Sequence, residues 1–145
     1  LNNESLGDEF LNKKLEIADF LKKEFPQAPI EVLEVADKAA TVRYAVNFNS
    51  LRPGGSVSGP VLMTLADTAL YVAILATIGI VPMAVTTNLN INFLRMPQAN
   101  RDLIAECKML KIGRALAIGE VYIYSEGLAD PVAHATGTYS IPPKR

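Results

Sequence analysis

The stretch SGPVLMTLADTALYVAILATIGIV, residues 58–81, decides how this chain folds. Between Pro60 and Val81 it carries a single charge, Asp67. A helix of about 20 residues is about 30 Å long, enough to cross a bilayer. Against a membrane span stand Asp67 in its first half, the hydroxyls of Thr64, Thr68 and Thr77, and the lack of Lys or Arg beyond its C-terminal end. The reading is a helix apolar on all sides because protein surrounds it on all sides. Ser58 is placed to cap it, and Pro60 suits a first turn in which a missing N–H costs nothing.

On the N-terminal side, Leu11, Leu15, Ala18, Leu21 and Phe25 recur at helical spacing, which predicts an amphipathic helix begun near Ser5 and stopped by Pro26. Ile30–Ala36 and Thr41–Phe48 read as two strands joined at Asp37 and Lys38, with Val42, Tyr44, Val46 and Phe48 on one face. The stretch NSLRPGGSVSGP, residues 49–60, is a loop that delivers the chain to the apolar helix. On the C-terminal side the period changes to two. Thr87, Leu89, Ile91 and Phe93 alternate with Thr86, Asn88, Asn90 and Asn92, a strand with one polar face. Three further strands follow at Leu103–Leu110, Ala115–Ser125 and Val132–Ile141. This order predicts an α+β fold, with an antiparallel sheet of about six strands curled around the central helix.

At 145 residues the chain is long enough for one domain, divided into an N-terminal helix over 1–26 and a core over 27–145. Half of its residues are apolar, which excludes disorder. A formal charge of −1, with no run of like charge longer than two residues, argues against nucleic acid or an anionic membrane as partner. Cys107 has no second cysteine to pair with, and with His134 it is too little for a zinc site, so no metal is expected. A reducing compartment follows as the default. The opening LNNESLGDEF lacks the apolar core of a signal peptide, so the expected location is the cytoplasm.

A carboxylate inside a buried helix needs a reason, because an uncompensated buried charge costs several kcal/mol. Asp67 lies about two turns beyond Ser58, out of reach of the helix dipole. It is either bonded to the surrounding sheet or held for chemistry. Gly59, at the helix start, points its N–H outward, which suits a carbonyl oxygen or a developing oxyanion. Lys111 and Arg114 flank a glycine turn, as an exposed hairpin tip or as contacts to an anionic ligand. His134 reads as a packed core or surface histidine.

From about Asn47 to Ile141 the chain resembles the hotdog-fold acyl-CoA thioesterases, on the PaaI-like branch named for phenylacetate degradation. The resemblance rests on GGSVSGPVLMTLADTALYVAIL, TTNLNINFLRMP and KIGRALAIGEVYIYSEGLADPVAHATGTY. It implies a homodimer of two subunits joined edge to edge with active sites at their interface; whether two such dimers pair into a dimer of dimers stays open. It further implies Asp67 as base or nucleophile, Gly59 as oxyanion donor from the other subunit, and Thr86 as the hydroxyl that helps hold the water. Where the family usually has histidine and asparagine, this chain has Ser58 and Arg52. Arg52 would then act as donor to the carbonyl or bind an anionic part of the ligand, and Ser58 would bond the departing sulfur.

The expectation is therefore hydrolysis of an acyl-CoA thioester, with no cofactor beyond the coenzyme A of the substrate. Met63, Leu70 and Tyr71 are expected to line the acyl pocket, and Asn88, Arg95, Lys111 and Arg114 to bind the rest of the ligand. Two alternatives stand beside it. One is a catalytically weak acyl-CoA or small-acid binding module, suggested by Ser58 and Arg52; the other is a hotdog hydratase or dehydratase, families that usually place a histidine beside their carboxylate, for which this chain has only His134.

Overall fold

The computed structural model describes residues 3–143, with side chains from Gly7 onward. Helix α1 spans Asn3–Glu24, strands β1 and β2 span Ile30–Ala36 and Ala39–Tyr44, and helix α2 spans Gly59–Ile78. Strands β3 to β6 follow at Val85–Phe93, Leu103–Ile112, Leu116–Ser125 and Ala133–Ser140. The six strands form one antiparallel sheet in the order β1-β2-β4-β5-β6-β3. α2 packs along its concave face. The arrangement is the hotdog fold that the family resemblance implies, and the pattern of apolar helix and alternating strands anticipates its six-stranded sheet around a central helix.

α2 is long and apolar enough to cross a membrane, yet 61% of its most apolar window is buried by the rest of the chain. Leu62, Leu65, Leu70, Ile74 and Leu75 are among its buried side chains, each contributing about 1.5–3 kcal/mol by leaving water. Leu70 is the helix side chain that meets β5 and β6 at two glycines. Beneath it lie Gly119 and Gly137, which are cross-strand partners. A Cβ on Gly119 would stand 2.8 Å from a Leu70 methyl and 2.6 Å from the Met109 sulfur, and one on Gly137 would collide with Leu70. Two opposed glycines thus open the groove in which the helix lies.

Three local features differ from the sequence reading. α1 begins at Asn3, so Ser5 lies within it rather than capping it. Its packed face is Ile17 and Leu21, with Phe10, Ala18 and Phe20 partly covered, while Leu11, Leu15 and Phe25 are exposed. α1 lies over β1 and one flank of α2, so only a narrow stripe is buried. β2 ends at Tyr44 instead of Phe48. Asn47 and Ser50 form a reciprocal cap, in which Asn47 Oδ1 accepts from Asn49 N at 2.8 Å and Ser50 Oγ accepts from Asn47 N at 3.1 Å. The resulting short 3-10 turn throws Phe48 out to solvent, 88% exposed.

Cys107 is buried in β4, and burial, with the charge of Glu120 second, pushes its thiol up to about 12. His134 stands on the convex face of the sheet, 2.9 Å from Glu120 and with its ring tilted 48° against that of Tyr122, centroids 4.6 Å apart. Its neighbours Ala133 and Ala135 point the other way, into the core. The sheet itself therefore separates His134 from Asp67, which removes the basis for a hydratase.

Candidate active site

Asp67 sits on the flank of α2 that meets the start of β3 and the end of β6. One carboxylate oxygen, Oδ1, accepts from Thr86 Oγ1 at 2.6 Å and from the Tyr139 hydroxyl at 2.7 Å. The other, Oδ2, has no hydrogen bond to the described residues and is not sealed from solvent. Asp67 is thus half-buried and held from one side only.

Thr86 reaches Asp67 because β3 breaks its alternation. Simple period-two reading puts Thr86 with Asn88, Asn90 and Asn92. In the structure Thr86 pairs with Tyr139, and Asn88 with Thr138, leaving Thr87 as an extra residue in the ladder. The bulge turns Thr86 to the inner face while the asparagines stay outside, opposite Thr138, Thr136 and His134. Asn88 therefore lies on the opposite face of the sheet from Asp67. A threonine hydroxyl has one hydrogen, and Thr86 spends it on Asp67. Toward a water it offers lone pairs only.

A cavity of about 870 Å³ opens beside Asp67, Thr86 and Tyr139. Leu21 of α1, Phe25 just after it, Ile30 and Val32 of β1, Tyr71 of α2 and Ala84 give it largely apolar walls. Tyr71, expected at the acyl pocket, is there; its hydroxyl donates to Pro82 O at 3.2 Å, and burial raises its phenol above the ordinary tyrosine range, helped by Glu24. Leu70 and Met63 are not walls of this cavity. Leu70 is 0% exposed over the two glycines, and Met63 lies on an open flank of α2. Sequence reading missed the contribution of α1 and β1, since nothing in their patterns marks Leu21, Phe25 or Ile30 as cavity rather than core.

Gly59 opens α2 as expected, and its N–H has no hydrogen bond among the described residues. Ser58 holds the N-cap position, but its side chain makes no capping bond; its backbone N–H donates instead to Ser50 O at 2.9 Å. Arg52 is exposed at the tip of a tight loop, where its N–H donates to Ser56 O at 2.8 Å and its carbonyl accepts from Gly55 N at 3.0 Å. Gly54 and Gly55, at φ 97° and 81°, supply the left-handed backbone that this loop requires.

Gly59 and Asp67 stand eight helical steps apart, about 12 Å along the axis. One chain does not bring them onto a single carbonyl. Gly59 lies instead against the Phe93 ring, at the far end of β3 from Thr86. The basic residues divide in the same way. Arg95 follows the end of β3, where its guanidinium donates to Pro131 O. Lys111 and Arg114 flank the β4–β5 turn, near Leu116, which pairs with Ser140 beside Val85 at the start of β3. About 30 Å of strand lies between these two groups.

The Thioesterase superfamily model matches residues 54–131, more than half of the 145 residues. The chain belongs to the thioesterase superfamily. The solved structures place it on the PaaI-like branch. It is 42% identical to a protein assigned as a thioesterase from a Silicibacter species, with a TM-score of 0.83 over 90% of this chain and 92% of that one. It is 26% identical to a mutant of the phenylacetic acid degradation protein PaaI from Thermus thermophilus, with a TM-score of 0.70 over 86% of this chain and 99% of that one. A Streptococcus mutans protein bound to acetyl-CoA shares the fold at 24% identity, with a TM-score of 0.71 over 80% of this chain and 90% of that one. No curated protein matches the chain. The superfamily match and the Silicibacter relative support thioester hydrolysis as the general chemistry.

Proposed function

We propose that this thioesterase-superfamily chain hydrolyses acyl-CoA thioesters to free acid and coenzyme A, in the cytoplasm, as a homodimer whose active sites lie between subunits. The observation that carries the reading is Asp67: a helical carboxylate in the wall of an apolar cavity, pinned at one oxygen and with no donor on the other among the described residues. No cofactor is required beyond the coenzyme A of the substrate.

The split between Gly59 and Asp67 supports the dimer. β3 is an edge strand with no partner on its outer side among the described residues. Antiparallel pairing of two copies of β3 about a point near Leu89 sets the Thr86 end of one beside the Phe93 end of the other. Gly59 of one subunit then approaches Asp67 and Thr86 of its partner. The same symmetry brings Arg95 of one subunit toward Lys111 and Arg114 of the other, a basic cluster suited to the phosphates of coenzyme A. Arg52, in the loop before Gly59, travels with Gly59 into the shared site.

In this arrangement a water donates one hydrogen to Asp67 Oδ2 and the other to Thr86 Oγ1, leaving its lone pair for the thioester carbon. As the C–O bond forms, the proton passes to Oδ2 and the carbonyl becomes an oxyanion held by the Gly59 N–H of the other subunit. Collapse restores the carbonyl and breaks the C–S bond. The departing thiolate recovers the proton, and Asp67 is regenerated. The acyl group occupies the cavity between α1, β1 and Tyr71.

Purified protein assayed against short, medium and aromatic acyl-CoAs tests the reading. Turnover should fall about 10²–10⁴-fold in Asp67→Asn, with the fold and dimer intact. Tight binding without hydrolysis across the panel would instead favour a binding module, the role that Ser58 and Arg52 in place of histidine and asparagine suggest.

A further inference from the structure

The sheet aims a second hydroxyl at Asp67, from a residue that the sequence reading did not single out. We propose that Tyr139 is a positioning residue that, with Thr86, pins Asp67 Oδ1 and so leaves Oδ2 as the one oxygen free to take a proton from water; the proposal rests on the hydrolase reading above.

Tyr139 and Thr86 are direct cross-strand partners at the β3–β6 junction, and the bulge at Thr87 is what lets both face inward. The phenol oxygen lies 2.7 Å from Oδ1 and 3.0 Å from the main-chain carbonyl of Asp67. It has one hydrogen, and the nearer, charged acceptor takes it. Oδ1 therefore receives two donors while Oδ2 receives none from the described residues.

Packing does not require that hydroxyl. The Tyr139 ring stacks on Tyr71, with centroids 6.0 Å apart and planes at 21°, and a phenylalanine would fill the same space. Placing a buried hydroxyl there costs free energy unless it is bonded, so its presence at 3% exposure is tied to the bond it makes. Burial, then the hydrogen bond to Asp67, raises the phenol well above the ordinary tyrosine range, with Thr86 opposing. It stays a donor at any pH at which the protein works.

The two donors are not equivalent. Thr86 is exposed and lies next to the irregular point of an edge strand, whereas Tyr139 is enclosed between β5, β3 and α2. Tyr139 is accordingly the rigid half of the clamp. It fixes the carboxylate plane relative to the cavity, and a displacement of about 1 Å at such a group costs about 10²-fold in rate.

The test is Tyr139→Phe in the whole protein, with kcat and KM measured over the acyl-CoA panel and thermal unfolding measured alongside. The expected result is a kcat lower by about 10–100-fold, with KM within about twofold and unfolding nearly unchanged. 3,5-Difluorotyrosine at 139 gives an independent handle, since its phenol keeps the shape but ionises at lower pH. Its kcat should acquire an alkaline limb that the wild type lacks, as the donor is lost. A kcat equal to wild type in Tyr139→Phe, or a higher KM with kcat unchanged, overturns the positioning role. If Asp67→Asn is still inactive in that case, the hydrolase reading survives. A wild type inert toward every acyl-CoA sinks both.

Discussion

β1 and β3 are both edge strands of one sheet, yet β1 lies under α1 and carries Glu31 and Glu34, while β3 is uncovered and carries no charge in VTTNLNINF. Charge and cover are the usual ways in which a protein prevents an edge from pairing with another chain. β1 has both and β3 has neither. Val85 and Phe93, at the two ends of β3, are each about half exposed, and Leu94 and Met96 extend the apolar surface beyond it. The bulge at Thr87, which elsewhere would blunt an edge, here turns a hydroxyl toward Asp67. The contrast supports the proposal that one edge is closed within the chain and the other is completed by a second copy.

Proline separates the two edges most sharply. Asn90→Pro, at the middle of β3, should convert the dimer to a monomer by light scattering and abolish turnover, because each site would lose half of its groups. Leu33→Pro sits at the irregularity between Val32 and Glu34, where β1 is already unpaired with β2. It should leave both the dimer and most of the activity. If Asn90→Pro remained dimeric and active, the contrast between the edges would have no functional meaning. An intermediate effect is expected in the interior, where Gly137→Ala forces a Cβ into Leu70. Denaturant unfolding should report a loss of about 1–3 kcal/mol, with catalysis per folded dimer little changed.

The architecture was readable because the strongest signals are long and periodic. The apolar run after Ser58 and the alternating strands leave one economical solution. What failed did so at single residues. Alternation alone assigns Thr86 to the polar face with Asn88, and a one-residue bulge reverses that. Helical spacing nominates Leu11 and Leu15 for burial, but α1 rests on too narrow a surface to cover them, and Ile17 takes the place. Phe48 continues the apolar face of β2 in sequence, and the Asn47 cap ends the strand first. At the site, Asp67 stands out as the one charge in the helix and Gly59 by its place at the start. Tyr139 carries no such mark, since a tyrosine in an alternating strand reads as core. Its role depends on which residue the sheet sets beside it.

The central claim is that Asp67 and Gly59 act on one thioester from different subunits, and mixing two inactive variants tests it directly. Asp67→Asn removes the carboxylate. Gly59→Pro removes the N–H at a position where proline is tolerated, since Ser58 already has the extended backbone (φ −73°, ψ 151°) that precedes one. Each variant alone should be inactive. After unfolding and refolding together in equal amounts, about half of the dimers are mixed, each with one site that carries neither change, so about a quarter of wild-type activity should return. If the mixture stays as inactive as its components while mixed dimers form, Gly59 and Asp67 do not meet across an interface, and the account is wrong.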